Sequence, residues 1–356
     1  MREFIPDELP LDIRISEDIY RLLVSASRAL SGLNGIAKTI PNRGILINAL
    51  VLQEAKDSSE IENIITTHDE LFLARIDKSR VTRATKEVQD YERALRIGFG
   101  LIDRSGLFLN SHILAIQKKL ERNNAGFRQQ QGTMLKNPTT GEIKHIPPQK
   151  YDDIVRLMGN LEKYINDDSL QDFDPLIKMA VIHYQFESIH PFYDGNGRSG
   201  RIINVLYLVY KGLLDLPILY LSGYIVRHKA RYYELLQKVR DEGAWEEWIC
   251  YMLVGVEQTA KATNETIKVI ENLMQNTKNK LRQNTSFYTK DFLEALFIHP
   301  YTRIESVMKT LNTTRQTASK YLKICEELQI LRCVKIGKSH YYVNVGLCDI
   351  FRKGIC

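Results

Sequence analysis

Long apolar runs are missing from this chain. None of its 356 residues lies in an apolar stretch of about 18 residues, the length a bilayer-spanning helix needs. The first residues, Met1-Arg2-Glu3-Phe4-Ile5-Pro6-Asp7, hold no apolar signal region. Cysteine is scarce: Cys250, Cys325, Cys333, Cys348 and Cys356 are odd in number, all in the second half, and none forms C-x-x-C. That argues against a structural zinc site and a disulfide framework, so a reduced, cytoplasmic compartment is expected. The Walker pattern G-x-x-x-x-G-K-[ST] is absent, which excludes the usual phosphate-binding loop. There is no internal repeat and no low-complexity tract. Charge of one sign is not in large excess: the net +6 permits a nucleic-acid contact without demanding one. What remains is ordinary soluble composition, 44% hydrophobic and 26% charged, in a chain long enough for two or three domains.

Against this background one stretch is unusually dense in chemistry. Residues 190–201 read His190-Pro191-Phe192-Tyr193-Asp194-Gly195-Asn196-Gly197-Arg198-Ser199-Gly200-Arg201. Gly195 and Gly197 permit a left-handed backbone and leave N–H groups uncovered, and successive bare N–H groups form an anion nest. The apolar run Ile202–Tyr210 follows, so the loop feeds a helix N-terminus, a ready phosphate site. Arg198 and Arg201, three residues apart, share one face of that helix and suit bidentate phosphate contacts. Asp194 offers hard oxygen ligands to a Mg²⁺ that bridges phosphates. His190 titrates near neutrality and suits proton removal from an attacking hydroxyl. The same residues also read as a helix-capping turn with a chance histidine and solvated arginines, and spacing alone leaves both readings open.

This stretch resembles the signature of the Fic family, H-P-F-x-[DE]-G-N-G-R-x-x-R, at every fixed position. The resemblance implies a mostly α-helical Fic domain that moves AMP from ATP onto a protein hydroxyl of Tyr, Ser or Thr, with Mg²⁺, and releases pyrophosphate. It implies His190 as general base and Asp194 as the metal ligand. Asn196 with the Gly195 and Gly197 backbone becomes the anion hole, Arg198 lies on the phosphates and Arg201 holds the γ-phosphate. A phosphotransferase branch of the family has Ala and Lys where this chain has Gly195 and Gly197, which favours AMP transfer.

Upstream, Ser58-Ser59-Glu60-Ile61-Glu62-Asn63 separates two helical runs, the second helix being expected over about Ile45–Ala55. As bare sequence, Asp57 or Ser58 is an N-cap and Glu60 and Glu62 are exposed helix acids. Thr67 and Glu70 have capping-box spacing for the helix that follows. Fic proteins often carry an inhibitory helix with the pattern [ST]-x-x-x-E-[GN], which Ser58, Glu62 and Asn63 match. The resemblance therefore implies an inhibitory helix near residues 57–65, in which Glu62 competes with the γ-phosphate for Arg201.

The rest of the chain is read as follows. Pro6 and Pro10 keep residues 1–15 extended, Ser16 caps a first helix with Glu17 and Asp18 in its first turn, and residues 34–42 form a loop. A charged helix spans 80–105. Asn110 or Ser111 caps the next, where His112 is a surface or capping residue. Residues 123–150 break the helical pattern with two strand-like runs around Asn137-Pro138-Thr139-Thr140-Gly141. In Fic proteins a hairpin here, the flap (126–146), aligns the target segment by strand addition. A helix over 149–166 precedes Asp174-Pro175, an N-cap/N1 pair that starts the helix Leu176–Ser188, in which His183 is a core histidine. Residues 213–223 form a connector. The tyrosine-rich helix 227–240 resembles the part of Fic domains that lines the adenine pocket, with Tyr233 and Arg240 as candidates, and a long polar helix covers about 244–283.

Beyond 286, helices at about 288–298, 302–311 and 314–328 precede strands at 330–334 and 340–343, with the turn Gly337-Lys338-Ser339 between them. This order suggests a winged helix-turn-helix. Eight Lys/Arg face three Asp/Glu between 315 and 353. Arg315, Gln316, Ser319, Lys320 and Lys323 lie along the third helix, which enters the major groove in DNA-binding examples. Such modules also serve as protein-contact or dimerisation domains.

The expected organisation is an N-terminal helical region (1–108), a Fic core (109–262), a connecting helix (263–285) and a winged-helix domain (286–356). A target protein is the expected partner, with DNA contact and a homodimer as further candidates. Two alternatives stay open: a DNA-binding regulator whose Fic domain senses nucleotide, and the same site using another nucleotide or removing AMP.

Overall fold

The helix that delivers the chain to the signature loop is buried on every face. This helix, α7 (Pro175–Ile189), has each residue from Leu176 to Ile189 inside the protein, the pattern of a central core helix rather than an amphipathic one. Asp174 caps it by accepting the Leu176 N–H, and Pro175 occupies N1, where a missing N–H costs nothing. A computed structural model describes residues 2–76, 81–136, 140–336 and 339–352. Arg80, the hairpin residues Asn137, Pro138 and Thr139, and the turn residues Gly337 and Lys338 lie outside the described residues, as does Cys356.

The fold is mainly α-helical. The first helix, α1 (Glu17–Ala37), starts where Ser16 accepts the Ile19 N–H, and its buried stripe packs along α11 (Trp245–Asn284). It runs through residues 34–37, which the sequence assigns to a loop. In α2 (Arg43–Ile61) the sequence reading needs a larger correction. No helix starts at Asp57 or Ser58. The helix is continuous, Ser58 sits in its last turns, and Glu62 is its C-cap. The cause is burial: Ser58 and Ser59 are inside the protein, where tertiary partners outweigh their intrinsic preference for helix starts. Asn63 then takes a left-handed conformation, φ 62°, which asparagine tolerates better than most residues. The expected capping box is present at α3 (His68–Ile76), with Thr67 N–H donating to Glu70 and Glu70 N–H to Thr67 Oγ1.

Helices α4 (Arg83–Ser105) and α5 (Asn110–Glu121) pack as an antiparallel pair. Neither Asn110 nor Ser111 caps α5. Leu109 holds the cap position, and the buried His112 accepts the Leu109 N–H at 3.4 Å through Nδ1. A two-stranded antiparallel hairpin follows, β1 (Leu135–Lys136) with β2 (Ile143–His145). Then α6 (Tyr151–Asn166) leads to α7, and α8 (Asn196–Tyr210) packs back on α7 after the loop. Part of the expected connector is helical, as α9 (Leu221–Arg227), and α10 (Lys229–Glu242) starts only after it. The boundary expected at 262–263 falls inside α11, which runs unbroken for 40 residues and docks on α7 through Trp248 Nε1 donating to Ala180 O at 2.9 Å.

The C-terminal module contains α12 (Lys290–Ile298), β3 (Tyr301–Thr302), α13 (Ile304–Leu311), α14 (Arg315–Glu327), β4 (Arg332–Ile336), β5 (Ser339–Val343) and α15 (Val345–Arg352). Its sheet has the order β3-β5-β4, all antiparallel. The sequence pattern misses β3, a two-residue strand, and α15. This module packs on α2: Asn42 Nδ2 donates to Glu294 at 2.9 Å and Asn48 Nδ2 to the Ile298 carbonyl at 3.1 Å. Among the described residues, no helix is long and apolar enough to cross a membrane.

Candidate functional site

At the end of α7 the chain leaves the core abruptly, because His190 adopts a left-handed backbone, φ 49°. Such a conformation costs an L-residue about 1–2 kcal/mol, so other contacts must hold it. Arg128 supplies them. It is buried, its Nε donates to His190 O at 2.9 Å, and its Nη2 reaches Ile189 O and Pro148 O. Its own N–H donates to Pro191 O at 2.9 Å. Burial, with Arg128 and Arg240 nearby, pushes the His190 imidazole down to about 3. It is therefore neutral at pH 7, the state that accepts a proton.

The turn that follows is latched by Asn196. Its Oδ1 accepts the Phe192 N–H and its Nδ2 donates to Phe192 O, both at 2.8 Å. The Asn196 amide, expected in an anion hole, is engaged with the Phe192 backbone, which leaves main-chain N–H groups as the donors this loop can offer. The N–H groups of Asn196, Gly197 and Arg198 open α8 and have no partner within the helix. Gly195 precedes them at φ 79°, and a Cβ there would lie 2.5 Å from Glu121 Oε1. The positive φ favours glycine at this position, and a larger residue would also have to displace the Glu121 carboxylate. Asp194 is exposed at the rim, with Oδ1 accepting the Gly195 N–H at 2.7 Å. A hard carboxylate beside a row of main-chain N–H groups suits Mg²⁺ shared with phosphate oxygens.

Both signature arginines are already engaged. Arg201 is buried on α8, where Nε donates to Ser58 Oγ at 2.8 Å. Its Nη2 donates to Ser58 O at 2.9 Å and to Glu62 Oε1 at 2.8 Å. Burial works against its charge, but Glu62 outweighs it and holds the guanidinium above its usual range. A Cβ on Gly197 would collide with Glu62 Oε1, so glycine there leaves room for the carboxylate. Lys229 Nζ donates to Asn63 Oδ1 at 3.1 Å just beyond. Arg198, three residues earlier on the same helix, pairs with two acids, Glu87 on α4 at 3.3 Å and Glu121 on α5 at 2.8 Å.

These groups surround an open cavity of about 670 Å³ lined by Glu62, Asn63, His190, Asp194, Gly195, Asn196, Gly197 and Arg198, within the range of ligand sites. Tyr233 and Arg240 are not among its lining residues. Tyr233 packs edge-on to Tyr232, and Arg240 donates to Gln237 Oε1. Sequence reasoning missed Arg83 and Glu87, which also line the cavity. It also missed Arg128, Glu121 and His145. Only a contact map could have found them, since no local pattern marks them. Within the hairpin, His145 Nε2 pairs with Ser188 O at 3.0 Å, which fastens β2 to α7 two residues before His190. Tyr193 Oη accepts the N–H groups of Gln129 and Gln130, at 2.9 and 3.1 Å. His183 is a core histidine, with Nε2 against Tyr232 Oη at 2.9 Å and its ring stacked on Trp248.

Glu187 on α7 is a further group that the sequence does not single out. It is buried, and Oε1 has no hydrogen-bond partner. Burial, opposed by Arg201, raises its carboxyl to about 7 from 4.5. The folded state therefore keeps this proton up to about pH 7, while the unfolded chain loses it near 4.5. Its favourable contribution is complete below 4.5 and is lost as pH rises through 7. Glu187→Gln cannot ionise. Its unfolding free energy relative to wild type should rise by about 3 kcal/mol between pH 4.5 and 7.5. Denaturant melts at several pH values measure this, and a difference independent of pH would refute it.

Comparison with known proteins gives consistent matches. Residues 20–100 match the profile described as Fic/DOC family N-terminal, and residues 108–208 match that of the Fic/DOC family. Residues 273–347 match "Protein adenylyltransferase SoFic-like, C-terminal domain". A Protein adenylyltransferase Fic of Aedes aegypti is 31% identical over 137 residues, 37% of this chain and 26% of that protein. That of Drosophila melanogaster is 30% identical over 115 residues, 32% of this chain and 22% of the other. The matched part is thus about a quarter of these relatives' length. Among solved structures, a Fic family protein from Desulfovibrio desulfuricans superposes with a TM-score of 0.61 at 19% identity, covering 94% of this chain and 98% of that one. Fic-1 from C. elegans gives 0.53 at 19% identity, over 68% and 70%. At such identities the structural likeness speaks for the fold alone.

Proposed function

The chain belongs to the Fic/DOC family, and from that premise we propose that it is a protein adenylyltransferase restrained by its own Glu62. The observation that carries this reading is the three-bond hold on Arg201 by Ser58 and Glu62, directly beside the main-chain N–H row that would receive the nucleotide phosphates.

In this mechanism the phosphates of ATP lie along the first turn of α8, where unpaired N–H groups and the helix dipole favour anions. Mg²⁺ would be held by Asp194 and the phosphate oxygens, and would offset their charge. The target hydroxyl enters from the hairpin side, where main-chain pairing along β2 aligns it. The neutral His190 imidazole takes the hydroxyl proton as the oxygen attacks the α-phosphorus. The bond from that phosphorus to the bridging oxygen breaks, AMP stays on the target and pyrophosphate leaves. Arg201 serves here only when the γ-phosphate replaces Glu62. Arg198, paired with Glu87 and Glu121, holds the α5 end against the loop and contributes positive charge beneath it.

The deciding experiment offers ATP labelled at the α- or the γ-phosphate, with Mg²⁺ and cell lysate as acceptor, to the Glu62→Gly variant. Label should reach protein from the α position alone. Transfer from the γ position would make the protein a kinase-like phosphotransferase, and no transfer from any nucleoside triphosphate would remove the reading.

A further inference from the structure

We infer that the exposed face of α14, flanked by the β4–β5 hairpin, is a binding site for duplex DNA. This site is separate from the nucleotide cavity and does not depend on the AMP-transfer reading. The inward face of α14 is committed to packing: Ala318, Leu322 and Cys325 are buried, and Tyr321 stacks on Phe287 with centroids 3.9 Å apart. The outward face carries Gln316, Ser319, Lys320 and Lys323, spaced i, i+3, i+4 and i+7, and so forms one continuous polar stripe. These residues line an open groove of about 580 Å³ between α14 and the start of α13.

The charge on this stripe is unspent. Arg315 is paired with Glu305 at 2.7 Å, but Lys320 and Lys323 take part in no ion pair among the described residues. On the hairpin Arg332, Lys335 and His340 are exposed. Two acids close the C-terminal end of the stripe: Glu327 lines the same groove, and Glu326 accepts the Cys333 N–H at 2.9 Å. Among the described residues, α14 thus carries two unpaired cations at its centre, and the exposed Arg332 and Lys335 lie on β4, which meets the C-terminal end of α14 at Glu326.

The shape selects the occupant. A helix with side chains is about 10–12 Å across, which matches the major groove of B-form DNA, about 12 Å wide. The major groove of A-form RNA is too narrow and deep for it. With the N-terminal turns of α14 in the groove, Lys320 and Lys323 further along the same face reach phosphates at its edge. Gln316 and Ser319, near the helix N-terminus, meet base edges, and a glutamine amide pairs with adenine through two hydrogen bonds. The hairpin cations fall on the neighbouring backbone.

The test uses the full chain and a fluorescent 24-base-pair duplex of mixed sequence, followed by anisotropy between 50 and 200 mM salt. Binding should weaken steeply with salt. Lys320→Glu/Lys323→Glu should lower affinity at least ten-fold. Lys320→Ala/Lys323→Ala, which adds no repulsion, should flatten the log K against log salt slope by about two. Unchanged thermal melts establish that both variants are folded. A control pair on α11, Lys268→Glu/Lys280→Glu, should leave affinity near wild type. The inference fails if the duplex does not bind at 50 mM salt or if the α14 variants bind as wild type does. It also fails if the α11 pair weakens binding equally, since that would mean net charge alone, or if double-stranded RNA of the same length binds equally well.

Discussion

Glu62→Gly is expected to raise the rate of label transfer from α-labelled ATP at least ten-fold over wild type. Glu62 gives Arg201 one charge-assisted hydrogen bond at 2.8 Å. Such bonds contribute about 1.5–3 kcal/mol when protected from water. The Arg201 side chain is 1% exposed but that of Glu62 is 35% exposed, so solvent screening moves the value to the lower end. About 1.4 kcal/mol already shifts a competition ten-fold. The two Ser58 bonds are untouched by the substitution, so Arg201 keeps its position and loses only the competitor. The transfer rate measured on wild type and variant at nucleotide concentrations well below saturation, as kcat/KM, tests this, and equal values would dismiss Glu62 as the restraint.

The second large effect is loss. In the Glu62→Gly background, His190→Ala should reduce transfer by about 10²–10⁴-fold, the usual worth of a positioned general base. ATP binding, read by calorimetry, should stay within a few-fold because the α8 N–H row and Arg201 remain. Alanine must also adopt the φ 49° of His190, so a second variant is needed to separate chemistry from backbone strain. His190→Asn tolerates that conformation and cannot act as the base. Both variants should fail alike. Substantial transfer by either would remove His190 from the mechanism.

The parts of this protein that were legible in the sequence are those decided locally. Ser16, Thr67 with Glu70, and Asp174-Pro175 start helices in the structure as they do on paper, because a cap needs only its own first turn. The signature loop was legible for the same reason, since glycines and a helix start lie within a few residues. The misreadings have the opposite origin. Asp57 or Ser58 looks like a helix start, yet both lie in the last turns of α2, because the Arg201 guanidinium and the core take the place of water around Ser58. Arg128, Glu121 and Glu87 carry no local pattern, and their roles exist only where α4, α5 and the hairpin region converge on the loop. The Arg201–Glu62 bond joins positions 139 residues apart, and the partners of Arg198, Glu87 and Glu121, sit on two other helices. The short strand β3 exists only because β5 lies beside it.

One feature of α2 bears on how the restraint can be lifted. Its 19 residues make a rod about 28 Å long at 1.5 Å per residue. After Gly44 the rod contains neither proline nor glycine, the usual sites of a sharp bend. Near one end Asn42 and Asn48 are tied to the C-terminal module, and the other end brings Ser58 and Glu62 to Arg201. A stiff rod gripped in this way has two routes out of the site. It unravels over its final turn, or it travels lengthwise as one piece and drags its moorings on α12 along. In the second case, force applied at the C-terminal module is felt at the Arg201–Glu62 contact by mechanical linkage, with no chain of small rearrangements in between.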